Sequence, residues 1–224
     1  MQKTYLWTQS KARLQFIRAN SGECYNWIFL PGGPRIGSES LNGLTQILSL
    51  PGAAWHLDLP GDGSNITSDD SYDFANWSKA LLEAVSALKN VILVAHSTGG
   101  MYALATAALE KILTGLVLMD SAPDATWQQA FAEYVKKYPL AVVEQLQKLY
   151  EQSPSNETLK QATIASAPYF MTKHGLKKSI DLLESLPFNY KSHAWSAKYF
   201  DETYKAAWIP KKLPTLILLV IKIT

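Results

Sequence analysis

The residues best placed to do chemistry are Ala95-His96-Ser97-Thr98-Gly99, a G-x-S-x-G pattern with alanine in the first glycine's place. Before it runs Val91-Ile92-Leu93-Val94, an apolar, β-branched stretch that reads as a buried strand. After it, Gly99-Gly100-Met101-Tyr102-Ala103-Leu104 opens a helix. A strand that becomes a helix across one residue forces that residue into a strained, positive-φ conformation. Its neighbours two positions away must then be small, a demand that Ala95 and Gly99 meet. Ser97 would stand at the apex with its hydroxyl lifted off the sheet. The unpaired N–H groups and positive dipole end of the following helix would face whatever the serine holds. Nucleophilic attack on a carbonyl, with an oxyanion held at the helix end, is the chemistry this arrangement suits.

A sheet must position that serine. Residues 4–19 alternate loosely and predict two antiparallel strands joined near Ser10-Lys11. Tyr25–Leu30 predicts a stronger strand that ends in Pro31-Gly32-Gly33-Pro34. A helix is expected over Ser38–Leu50, where Leu41, Leu44, Ile47 and Leu48 recur at helical spacing. Ala53–Gly61 reads as the next strand with its exit turn. Ser71–Lys89 reads as a helix with Phe74, Trp77, Leu81, Val85 and Leu88 on one face. Leu113–Met119 is another buried strand, ending in Asp120-Ser121-Ala122-Pro123. Strands and helices alternating from residue 25 to 120 imply an α/β fold with a mainly parallel, doubly wound sheet. Ligands of such a sheet bind at the carboxyl ends of its strands, where Gly33, Ser97 and Asp120 would all stand.

Several of these stretches, in this order, resemble the α/β-hydrolase superfamily, and within it the proline iminopeptidases and small esterases. Ala95–Gly99 resembles the nucleophile elbow, and Pro31–Pro34 resembles the H-G-G-P-G loop after the third strand. Asp58-Leu59-Pro60-Gly61-Asp62-Gly63-Ser64 resembles the D-x-P-G-x-G-x-S turn, whose role is structural. Lys211–Val220 resembles the seventh strand, often written P-T-L-I-L. The resemblance implies Ser97 as nucleophile, the backbone N–H groups of Gly33 and Thr98 as the oxyanion hole, and Asp120 as the candidate acid. Two departures stand out: Pro31 replaces a frequent histidine, and Arg35 a glycine. A side chain at position 35 is expected to crowd the loop or hold it away from the serine. His56 reads as a packed core histidine. His96 is expected to point away from Ser97 by strand alternation.

From Asp124 to Trp208 helical periodicity and aromatic residues dominate, a segment that resembles the helical cap of these enzymes. Its aromatics are expected to form mostly the cap's own core, with roughly a third facing a pocket. His174 and His193 are assigned surface or satisfied polar roles; Glu133, Glu144, Glu184 or Glu202 could meet a substrate amine, and nothing singles one out. The expected division is therefore a core over residues 1–123, a cap over 124–208, and a penultimate core strand over 209–224. In the family an aspartate follows that strand, then a last strand, a helix and the triad histidine. Here no Asp or Glu follows Glu202 and no His follows His193. The sequence thus reads as a hydrolase fold truncated before its last strand and helix, with an apolar strand edge open to homodimerisation.

A net charge of +2 gives no reason to invoke nucleic acid, and no apolar run has the length of a membrane span. The single cysteine, Cys24, and an N-terminus without a secretion signal read as cytoplasmic. Neither cofactor nor metal is expected. Three functions follow from this sequence: acyl transfer from small esters, amides or short peptides to water through Ser97; binding of an apolar small molecule or partner protein without catalysis; or a purely structural fragment. The absent acid and base weigh against turnover, because a serine hydroxyl needs a base at neutral pH.

Overall fold

A computed structural model describes residues 4–22, 24–66 and 73–219. The strands are β1 (Tyr5–Trp7), β2 (Arg13–Asn20), β3 (Asn26–Leu30), β4 (Gly52–Asp58), β5 (Val91–His96), β6 (Gly115–Met119) and β7 (Thr215–Leu218). They form one sheet in the order β1-β2-β4-β3-β5-β6-β7. β1, β2 and β4 pair antiparallel, and every pairing from β4 through β3, β5 and β6 to β7 is parallel. Helices α1 (Asn42–Ile47), α2 (Trp77–Ser86) and α3 (Thr98–Ala105) cross between strands. The segment between β6 and β7 carries α4 (Trp127–Lys137), α5 (Ala141–Gln152), α6 (Asn156–Ala165), α7 (Ala167–Phe170), α8 (Leu176–Ser185) and α9 (Tyr190–Ser196).

The two faces of the sheet sort by strand alternation. Ile28, Leu30 and Leu93 turn toward α2 and α3, against Leu81, Val85 and Tyr102. Phe29 and Val94, one residue out of step, turn to the other face against Leu41, Leu44 and Ala54. A central parallel strand must be apolar on both sides for this to work, which is why Val91–Val94 lacks the polar alternation of an edge. Each leucine so buried contributes roughly 1.5–3 kcal/mol relative to exposure.

Some sequence expectations change in detail. The helix expected over 38–50 becomes a short 3₁₀ turn followed by α1, because Leu48 is already extended ahead of Pro51. Ile47, counted among its apolar face, is 80% exposed. The start expected at Ser71 lies outside the described residues; the helix is described from Trp77, preceded by a 3₁₀ turn from Phe74.

The aromatics between β6 and β7 do not form mainly a core of their own. Phe200, Tyr204 and Trp208 join the principal core. A small separate cluster holds Tyr150 and Phe188 with Leu159 and Leu186. Trp127, Tyr134, Tyr138, Phe170 and Tyr199 are exposed. Helix α4 is the cause: it buries no residue, and among the described residues its Phe131 and Tyr134 pack on Tyr169 and Phe170 at α7.

Candidate functional site

Ser97 has φ 50° and ψ −123°, between the last residue of β5 and the first of α3. The sheet holds it from below: its N–H donates to Met119 O at 2.7 Å. Its carbonyl receives Gly100 N–H, Met101 N–H and the Ser121 hydroxyl, the last at 3.0 Å. Such bonds over-determine a backbone conformation that would otherwise cost about 1–3 kcal/mol.

Small residues close the turn. A Cβ on Gly99 would lie 2.3 Å from Pro31 O, and one on Gly100 would lie 1.9 Å from Ser121 Oγ. The turn therefore packs directly on the end of β3 and on the segment after β6. The Pro31–Pro34 loop is not held away from the serine. A Cβ on Gly32 would meet Ser97 Cβ at 2.6 Å. Gly32, which sequence reasoning passed over in favour of Gly33, is thus the loop residue against the serine. Gly33 follows at φ 56° with its Cα face turned to the Arg35 guanidinium. Thr98 is the first residue of α3, where N–H groups lack helical partners.

The histidines sort clearly. His56 is buried, its Nε2 3.0 Å from Thr45 Oγ1, and is part of the core. His174 is exposed. His96 Nδ1 lies 2.9 Å from the Cβ position of Gly32 that Ser97 Cβ also approaches, so the imidazole packs on the same loop glycine, and among the described residues no hydrogen bond joins it to Ser97. Burial lowers its pKa, and the negative charge of Asp120 opposes that shift. Asp120 is exposed, at φ 49°, one residue beyond the Met119 carbonyl that receives Ser97 N–H. Ser97, His96 and Asp120 therefore share one edge of the β5–β6 pair, where His96 and Met119 are in register.

His193, on α9, reaches the loop as well. Its Nδ1 lies 3.0 Å from Arg35 Nη1. Loss of hydration and then the neighbouring guanidinium push its pKa down to about 3, so it stays neutral and is a poor proton acceptor. Glu133, Glu144, Glu184 and Glu202 are all exposed. Among the described residues no group of three or more His, Cys, Asp and Glu could hold a metal ion.

A second constellation ties the loops together. Asp58, at the end of β4, accepts from Ser38 N–H at 2.6 Å, Ser38 Oγ at 2.9 Å and Arg13 Nη2 at 2.7 Å. Burial, then Glu39, raises its pKa; Arg13 opposes them. Asp62 accepts Gly37 N–H at 3.2 Å and also Arg35 N–H, and burial, then Asp58, raises its pKa well above the carboxylate range. This matches a structural role for the 58–64 turn. Beside it opens a cleft of about 350 Å³, its mouth included, lined by Leu59, Pro60, Asp62, Trp77, Tyr102 and Trp195 among others. Ser97 is not among its lining residues, so it lies to one side of the serine.

Sequence comparison gives a match to the alpha/beta hydrolase family over residues 27–218. No curated protein matches the sequence. Among solved structures, a proline iminopeptidase-related protein from Thermus thermophilus is 17% identical with a TM-score of 0.68, covering 97% of this chain and 79% of its own. An alpha/beta fold family hydrolase from Bacillus anthracis str. Sterne is 15% identical with a TM-score of 0.64, covering 97% and 81%. An esterase from Thermogutta terrifontis is 17% identical with a TM-score of 0.62, covering 98% and 80%. At such identities the likeness is one of fold, while the sequence match spans both the serine turn and the strands around it. The chain belongs to the alpha/beta hydrolase family.

Proposed function

We propose that the chain is a serine hydrolase acting on small esters, amides or short peptides, with Ser97 as nucleophile. The observation that carries this reading is the strained turn at Ser97 at the carboxyl ends of parallel strands, packed on Gly32. In this reading the serine oxygen bonds to the substrate carbonyl carbon, and the carbonyl oxygen takes the negative charge. The N–H groups of Gly33 and Thr98 receive that oxyanion. Collapse of the adduct expels the alcohol or amine, and water then releases the acid. In this reading the serine proton passes to His96, whose ring packs on the same Gly32 as the serine, with the charge of Asp120 steadying the imidazolium. The helices between β6 and β7, residues 124–208, serve as a cap, with residues 1–123 and 209–224 as the core. The exposed free thiol of Cys24 suits a cytoplasmic setting.

A base adjacent in sequence to its nucleophile has little freedom to align, so turnover should be slow. The loss of a well-placed base costs up to about a million-fold in a serine protease. This favours a second reading, in which the site binds an apolar small molecule or a partner protein without turnover. His193 supports it, because its proton-accepting nitrogen is engaged by Arg35. A fluorophosphonate probe and p-nitrophenyl acetate hydrolysis, each measured on wild type, Ser97→Ala and His96→Gln, separate the two. The hydrolase reading expects labelling and turnover that vanish in Ser97→Ala and fall at least about tenfold in His96→Gln. Labelling that is absent in wild type, or unchanged in Ser97→Ala, discards it.

A further inference from the structure

Arg35 is the one cation of the oxyanion-loop segment, and its setting is unusual for a guanidinium. Its backbone is pinned on both sides. Its N–H donates to Asp62 and its carbonyl accepts Asn189 N–H at 2.9 Å, while Ser192 Oγ donates to Pro34 O at 2.7 Å. So fixed, the side chain folds back over Gly33, with Nε and Cζ 3.8 Å and Nη2 3.9 Å from the position a Cβ there would take. Gly33 in turn follows the glycine that touches Ser97.

What the guanidinium lacks is an anion. Among the described residues no carboxylate lies within ion-pairing distance of it: the ion pairs found are Arg13 with Glu39 and Asp58, and Lys79 with Glu83. Asp201 and Asp62 act on it only through their fields, while burial lowers its pKa. Asp62 is itself held toward its neutral form. The side-chain partner Arg35 does have is the neutral imidazole of His193. An arginine can only donate, so His193 Nδ1 is the acceptor and Nε2 keeps the hydrogen. Unlike Arg13 Nε and Arg18 Nη2, no nitrogen of Arg35 is both buried and unpartnered. Its Nε and Nη2 thus have no hydrogen-bond partner among the described residues, and neither is fully buried. Buried charges are ordinarily paired, and a planar fork of donors matches a carboxylate.

We propose that Arg35, backed by His193, is a carboxylate-binding subsite beside the oxyanion loop, so that the molecules this site takes carry a negatively charged carboxylate. The inference deepens the reading of Ser97 as nucleophile by naming the substrate class, half-esters or half-amides of dicarboxylic acids. It is tested by binding rather than turnover, so that the two readings can fail separately.

The probe is glutarate, with neutral glutaramide as its isostere. Thermal unfolding and isothermal titration are run on the full chain in wild type, Arg35→Gln, Arg35→Lys and Ser97→Ala. Glutarate should raise the unfolding temperature of wild type and of Ser97→Ala, and glutaramide should not. Arg35→Gln should weaken glutarate binding at least about tenfold, the effect of losing a charge-assisted fork, with Arg35→Lys in between. Bound glutarate should also raise the pKa of His193 from about 3, read from its ring proton shifts, because it offsets the guanidinium charge. Retained binding in Ser97→Ala without fluorophosphonate labelling of wild type would leave the subsite standing and remove the nucleophile. Equal stabilisation by glutaramide, equal binding in a cooperatively folding Arg35→Gln, or no binding of glutarate to wild type would each overturn the subsite.

Discussion

Of the glycines around the serine turn, Gly100 leaves the least room for a side chain, because Ser121 lies against it. A methyl group on Gly100 would sit 1.9 Å from Ser121 Oγ and 2.6 Å from its Cβ. Gly100→Ala should therefore destabilise the fold by about 1–3 kcal/mol through overpacking. Ser121→Gly removes both offending atoms and should restore most of that loss in the double variant, a coupling that urea unfolding of the four-member cycle measures. Additive losses would mean that the clash is relieved elsewhere. The Ser97 turn itself was legible in the sequence, since small residues flanking a polar apex between strand and helix leave few other conformations. Gly32 and Ser121 were not, because their role comes from strands distant in sequence brought side by side. The contact of His96 with Gly32 was hidden for a related reason, since the loop after β3 that supplies it is distant in sequence. Arg35 was visible only as a departure from a glycine, and the direction it takes depends on Asn189 and His193 more than 150 positions later.

Elements are held together here by a few buried polar fasteners as well as by the core. Arg13 of β2 and Asp58 of β4 form a pair at 2.7 Å, with Arg13 7% and Asp58 0% exposed. Removing one member leaves the other charge buried alone. Arg13→Ala should thus cost about 3–5 kcal/mol in chemical denaturation, while replacing both by apolar residues should cost less. The helices between β6 and β7 are docked differently, through α9 onto the Pro34–Arg35 strap. His193 there has its pKa lowered from 6.5 to about 3 by burial, then by Arg35. The unfolded chain binds a proton that the folded chain rejects, so the stability it contributes is present above pH 6.5 and is lost as pH falls toward 3. His193→Gln, which can still accept from Arg35, should flatten that acid slope without changing stability near neutrality. Denaturation midpoints across the range decide it, and an unchanged slope would reassign the acid lability to other groups. The strands were legible from apolar runs bounded by turn residues, and each lies within a residue or two of its expected place except β7, whose four residues sit inside the longer stretch expected over Lys211–Val220. The helices after β6 gave their positions but not their partners, because periodicity marks a face without saying what covers it; α4 shows a strong apolar stripe and buries none of it.

At the scale of the molecule the sheet ends on an apolar strand. Leu216, Ile217 and Leu218 of β7 are 53%, 61% and 46% exposed, so both faces of the strand meet solvent. Among the described residues β7 pairs with β6 alone, leaving its outer row of N–H and C=O groups as a template for another strand. The opposite edge differs: β1 is three residues long, and Arg13 stacks on its Tyr5 at 5.4 Å. A charge on the strand is a usual means of blunting an edge, and the four residues of β7 carry none. Two copies meeting at β7 would satisfy both edges at once in a two-fold arrangement, because an isologous contact uses the same patch twice. Self-association that rises with concentration is the expected behaviour in sedimentation velocity. Ile217→Lys places a charge on the outward strand, where little packing is lost, and should shift the population toward monomer while leaving the unfolding midpoint within about 0.5 kcal/mol of wild type. A chain that stays monomeric at every concentration, or associates equally well with lysine at 217, would show that the apolar row is covered by something other than a second copy.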